Sequence, residues 1–125
     1  MSWPDIETAL TKAHREATGT QTGTKVPDNV ELLSKFVRLA RGPGTDDMIT
    51  DAPIVDAECF SNDYKTAAAL AESTRQWFHS LNGRKVAGVQ VDRVRTVVAP
   101  SWVDYRNPGT NRFVASYALE FRQTY

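Results

Sequence analysis

Apolar and polar positions change rhythm several times along the chain, and each rhythm predicts an element. Over residues 4–17, Ile6, Ala9, Leu10, Ala13 and Ala17 recur at helical spacing and form one narrow apolar stripe. Ser2 is placed to cap that helix, Pro4 suits its first turn, Asp5 and Glu7 suit the positive end of its dipole, and Gly19 stops it. Thr18 to Thr24 has no period and reads as a polar connection or a weak edge strand leading to Lys25-Val26-Pro27. From Ser34 to Arg41 the period is two, with Phe36, Arg38 and Ala40 on one side and Val37, Leu39 and Arg41 on the other, which predicts a strand. Gly42-Pro43-Gly44-Thr45-Asp46-Asp47 breaks it with turn residues and opens a polar loop to about Pro53. Strand character resumes from Ile54 to Phe60, with Val55, Ala57 and Cys59 facing one way and Asp56 and Glu58 the other. The two strands predict a hairpin whose loop exceeds the roughly 2–5 residues usual for hairpins, a length that suggests binding.

Asn62 to Leu81 predicts a second helix, capped by Asn62 or Asp63 and ended by Asn82-Gly83, because Ala67, Leu70, Ala71, Thr74, Phe78 and Leu81 repeat at three and four. Val89 to Val98 is β-rich, and its phase changes at Asp92-Arg93, where a bulge is expected. Pro100 to Gly109 is a second long, turn-rich segment, and Arg112 to Arg122 alternates cleanly through Phe113, Ala115, Tyr117, Leu119 and Phe121. This order predicts a single α+β domain, a mostly antiparallel sheet of about four to five strands covered by two helices. Its expected core includes Ile6, Leu10, Leu70, Phe78, Phe113, Tyr117 and Leu119.

With 125 residues the chain has room for one ordinary core, and its 41% hydrophobic and 24% charged content argues against disorder. Net charge is zero, which disfavours a uniformly basic nucleic-acid binder. The balance hides a split: residues 1–74 carry seven basic and twelve acidic side chains, residues 75–125 eight basic and three acidic. Either the fold scatters these charges over all faces, or the subunit is bipolar and suited to stacking between unlike partners. A single cysteine, Cys59, excludes an intrachain disulfide and a zinc site built on several thiolates. No apolar run reaches the ~18 residues of a membrane span, and the N-terminus lacks the blocks of a signal peptide. The expected setting is a cytoplasm, or a larger particle leaving one.

Candidate chemistry is sparse. His14 and His79 have no His or Cys at helical ligand spacing, Cys59 alternates with apolar neighbours as a buried thiol does, and Ser101 lacks the glycines of a nucleophile elbow. Gly42-Pro43-Gly44 precedes no helix and lacks the Gly-Lys-Thr ending of a phosphate-binding loop. Asp46, Asp47, Asp51, Asp56 and Glu58 are the carboxylates of a conceivable Mg²⁺ nuclease, yet Asp56-Ala57-Glu58-Cys59-Phe60 places no lysine beside them. Trp102, Tyr105, Arg106, Arg112 and Tyr117 suit base stacking, but Trp, Tyr and Arg are also the residues enriched at protein hot spots. Alternation places Tyr117 in the core.

Taken in order, Trp3-Pro4-Asp5-Ile6-Glu7, Thr24-Lys25-Val26-Pro27, Phe36-Val37-Arg38-Leu39, Asp56 to Phe60 with the Ala-rich helix, Pro100-Ser101-Trp102, Asn111-Arg112-Phe113 and Tyr117-Ala118-Leu119 resemble the tail terminator proteins of long-tailed bacteriophages. The likeness covers nearly the whole chain and rests on order and spacing. It implies a non-enzymatic virion protein without cofactor, catalytic residue or metal, working at the tail and assembled in the host cytoplasm. It implies a homohexameric ring that caps the tail tube, stops its polymerisation and offers a surface to a head-completion or neck protein. Genome DNA would pass through the lumen without sequence-specific contact, and no membrane is involved. The candidate contacts with neighbouring subunits or the tube are Arg41, Thr45, Asp46, Asp47, Asp51, Trp102, Tyr105, Arg106, Asn111 and Arg112. A head-closure or neck protein of the same particle is the alternative, and the Mg²⁺ nuclease a more distant one.

Overall fold

Two capped helices and a six-stranded sheet make up the computed structural model, which describes residues 5–46, 50–106 and 109–122, with the backbone alone at 43–46, 50, 51 and 122. Helix α1 (Ile6–Thr18) starts at Asp5, whose carboxylate accepts from the Thr8 amide at 3.2 Å and the Thr8 hydroxyl at 2.7 Å. These bonds hold the Asp5 carboxyl below its ordinary range. Asp5 is therefore the cap expected at Ser2, which lies outside the described residues together with Pro4. Gly19 ends the helix in the left-handed region, φ 70°, with its amide on the Arg15 carbonyl. Helix α2 (Tyr64–Ser80) begins the same way, Asp63 accepting from the Thr66 amide at 3.0 Å and hydroxyl at 2.7 Å.

The strands are β1 (Thr22–Gly23), β2 (Phe36–Asp46), β3 (Thr50–Ser61), β4 (Lys85–Val86), β5 (Val89–Trp102) and β6 (Asn111–Arg122). They lie in the order β1-β2-β3-β6-β5-β4, with β1 parallel to β2 and every other pair antiparallel. The sheet is thus mixed, and has six strands where alternation predicts four to five. β1 falls in the Thr18–Thr24 stretch expected as a connection or weak edge strand, and the strand beyond the expected number among the described residues is β4, two residues long and too short to show a period.

The larger correction concerns the loop expected from Gly42 to Pro53. Pairing resumes beyond Gly42-Pro43, with Gly44 opposite Pro53, Thr45 opposite Ala52 and Asp46 opposite Asp51. Gly42 and Pro43 oppose Ile54 alone, so this turn-like sequence is a bulge in a continuing ribbon. A Cβ at Gly42 would sit 3.2 Å from the Ile54 carbonyl oxygen, which favours glycine there. Only the tip, 47–49, is left for a connection, and it lies outside the described residues. Likewise β5 runs on through Pro100 to Trp102, shortening the second expected loop. Its register shifts between Val91 and Arg93, where a bulge was expected, and twice more before Ser101.

Strand alternation decides the two faces. Val37, Leu39, Val55, Ala57, Cys59, Phe113, Ala115, Tyr117, Leu119 and Phe121 point to the helices and pack with Ile6, Leu10, Leu70 and Phe78 in one core. Phe78 stacks on Tyr117 at 4.3 Å between ring centroids. The opposite face carries a smaller cluster, Val30, Phe36 and Phe60, with Val26, Leu33 and Tyr105 laid over it. Among the described residues no helix is long and apolar enough to cross a membrane.

Candidate functional site

On the outer face of the sheet, Glu58 of β3 stands between Arg38 of β2 and Arg112 of β6. Its Oε1 accepts from Arg38 Nη1 at 2.5 Å and its Oε2 from Arg112 Nη1 at 3.2 Å. Each arginine also holds a connecting segment: Arg38 Nε donates to the Thr24 carbonyl at 3.0 Å, and Arg112 Nη2 to the Asp104 carbonyl at 2.8 Å. Tyr105 sits on this staple, its ring 5.4 Å from the Arg112 guanidinium and 5.2 Å from the Phe60 ring. Asp56, two residues before Glu58, accepts from the Ser116 hydroxyl at 2.8 Å. Asp56 and Glu58, the two described side chains among the carboxylates a metal site would draw on, are thus tied to a serine and to two arginines. Among the described residues no three His, Cys, Asp or Glu side chains converge as metal ligands do.

The candidate contact residues fall into two groups at opposite sides of the molecule. Arg41, Thr45, Asp46 and Asp51 belong to the β2–β3 ribbon; Asp47 lies outside the described residues, and of Thr45, Asp46 and Asp51 the backbone alone is described. Arg41 is exposed, and its amide donates to the Glu7 carboxylate at 3.0 Å, fastening α1 to the edge of β2. In the other group, Tyr105 and Arg112 are held by the staple, Arg106 is exposed with its guanidinium 5.8 Å from the Tyr105 ring, and Asn111 opens β6 opposite Ser61. Trp102 stands apart at the end of β5, 45% exposed.

Trp102 directs attention to a feature that residue types alone did not reveal. Strand β4 covers β5 only at Val89 and Gln90, and the Asn82 carboxamide oxygen caps the Val94 amide at 2.7 Å. From there to Trp102 no described strand lies on that side of β5. Val97 and Val98, 42% and 49% exposed, lie on this edge, and Val103, 38% exposed, follows it. The signal in the sequence was the run Val97-Val98, which breaks the alternation without supplying a second buried row. On the outer face beside it, Arg93, Arg95, Ile54, Ala118 and Glu120 line a pocket of about 190 Å³. That is smaller than the ~300 Å³ or more of most small-molecule sites and suits a single side chain.

The two histidines and the cysteine have structural partners. His14 is fully buried, with Nδ1 2.8 Å from the Thr22 hydroxyl and Nε2 3.2 Å from the Thr74 hydroxyl. Thr22 Oγ1 gives its proton to the Thr20 carbonyl, so it accepts from Nδ1–H, and Nε2 then accepts from Thr74. Cys59 donates to Thr74 Oγ1 at 3.8 Å, and burial pushes its thiol up to about 12. His79 Nε2 lies 2.7 Å from the Thr96 hydroxyl.

No protein-family model matches this chain, and no curated protein matches it significantly.

Proposed function

We propose that the chain is a structural phage-tail assembly protein that closes as a hexameric ring on the end of the tail tube, stops its growth and joins it to the neck. The observation that carries this reading is the stretch of β5 that no described strand covers, with Val97, Val98 and Trp102 exposed along it. Unpaired backbone bordered by aliphatic and aromatic side chains is a poor surface to leave in water and a good one to bury against protein. The outer-face carboxylates support the same reading, since Asp56 and Glu58 brace strands instead of facing an open cleft. The order of sequence motifs supplies the specific role.

The experiment mixes the purified protein with polymerising tail-tube protein and measures tube length by electron microscopy. Tubes that stop growing and carry a ring at one end are expected. Unchanged growth would overturn the reading, and binding to the head portal with no effect on tubes would reassign the chain to head closure. Replacing Trp102 by Ala should weaken capping while leaving the thermal melt close to that of the parent, because the indole is half in solvent.

A further inference from the structure

We infer that copies of this chain associate head to tail, the Asp28–Leu32 turn of one copy seating on the β5 edge of the next; this rests on the ring reading above and names the surfaces that would close it.

The β5 edge presents charge as well as apolar surface. Arg93 and Arg95 are exposed on the outer face, opposite Glu120 and Ala118 across the ladder, and neither guanidinium bonds to a partner among the described residues. Arginine left unpaired beside exposed valines is the composition of an interface whose other half is acidic and partly apolar.

That other half exists on the same molecule. Between β1 and β2 the chain makes a 3₁₀ turn, Val30–Leu32, closed by the Leu33 amide on the Val30 carbonyl at 3.0 Å. Val30 is buried over Phe36 and Phe60, which fixes the turn to the outer face. Asp28, just before this turn, and Glu31, within it, are both exposed and without a partner among the described residues. Leu32 beside them is 76% exposed, the largest value among the exposed hydrophobic side chains. Two carboxylates and a leucine thus match two guanidiniums and two valines.

Placement makes the match directional. The turn sits over β2 and β3, and the receiving edge is β5, on the other side of the β3–β6 pair. One copy cannot satisfy both of its own surfaces, and a two-fold pairing of β5 edges would bring Arg93 and Arg95 against their own copies. A heterologous contact repeats around a ring when the rotation closes. The charge split of the sequence runs the same way, since β1 to β3 come from the acidic portion of the chain and β4 to β6 from the basic one.

The test is a charge-reversal cycle read by native mass spectrometry and by tube capping. The parent protein is expected to assemble beyond a single chain. The Arg93→Glu/Arg95→Glu and Asp28→Arg/Glu31→Arg variants should each lose at least tenfold in assembly while remaining folded by circular dichroism, the first with a somewhat lower melt because a carboxylate at position 93 would face Glu120 across the ladder. Mixing the two variants should restore assembly, because each mutant surface then finds an opposite charge. Folded variants that assemble as the parent does would overturn this contact and leave the ring reading standing. A parent protein that caps tubes yet shows no effect of either reversal on capping would do the same. A parent protein that neither assembles nor caps would overturn both.

Discussion

His14 illustrates how one buried side chain couples the fold to pH. The chain of bonds from Cys59 through Thr74 and His14 to Thr22 is complete only while the imidazole is neutral, because Nε2 must accept from Thr74. Burial accordingly pulls its pKa from the ordinary 6.5 down to about 4. Between these values the unfolded chain holds a proton that the folded chain does not, so stability rises with pH across that window. The contribution is complete above about pH 6.5, is lost as pH falls toward 4, and stops changing below that; its size is on the order of 3 kcal/mol. Thermal melts from pH 7 to pH 4 should show the decline, and a His14→Gln variant should show much less of it; equal slopes would refute the assignment. Tyr117 is the contrasting case, a buried phenol whose hydroxyl has no hydrogen-bond partner among the described residues. Tyr117→Phe should leave stability unchanged or raise it by up to about 1 kcal/mol in urea unfolding, since it removes a polar group that gains nothing from burial.

At the scale of elements, legibility followed the length of unbroken pattern. Strand β6 and helix α2 are readable because five alternating apolar residues in one, and Ala67, Leu70, Ala71, Thr74 and Phe78 at helical spacing in the other, leave no rival period. The β2–β3 ribbon is not legible past Arg41 because Gly-Pro-Gly is turn chemistry in isolation, and only the partner strand shows that two residues are absorbed as a bulge. The staple was illegible for a different reason: Arg38, Glu58 and Arg112 meet across three strands and leave no local pattern. So was the β4–β5 hairpin, whose two-residue turn is Ala87-Gly88, with Val86 opposite Val89. Both turn residues take positive φ, 48° at Ala87 and 84° at Gly88, as the mirror-image turns favoured in tight hairpins require. Alanine carries a steric penalty there that asparagine largely avoids. Ala87→Asn should therefore stabilise the protein by roughly 0.5–1 kcal/mol, measured as a rise in the denaturant midpoint at unchanged slope. A lower midpoint would mean that the turn is not held in this conformation.

For the whole molecule, the strand order has a consequence for how the chain reaches this structure. Each outer pair of long strands is joined by a connection short in sequence, whereas β3 and β6, side by side in the middle, bring together residues fifty or more positions apart, from Ser61 with Asn111 to Thr50 with Arg122. Closing so long a loop is slow relative to forming either hairpin. During synthesis β6 emerges after every other described strand, so until then β3 offers a bare edge and the helices have half a floor to pack on. The nascent chain is accordingly at its most aggregation-prone just before its final strand docks. In the finished protein β3 and β6 are paired on both sides, so amide exchange is expected to be slowest in their bonds to β2 and β5 and fastest in β1 and β4. Uniform exchange across the sheet would show that the two halves do not fold as separate units, and expression yield would then gain nothing from slowing translation ahead of residue 111.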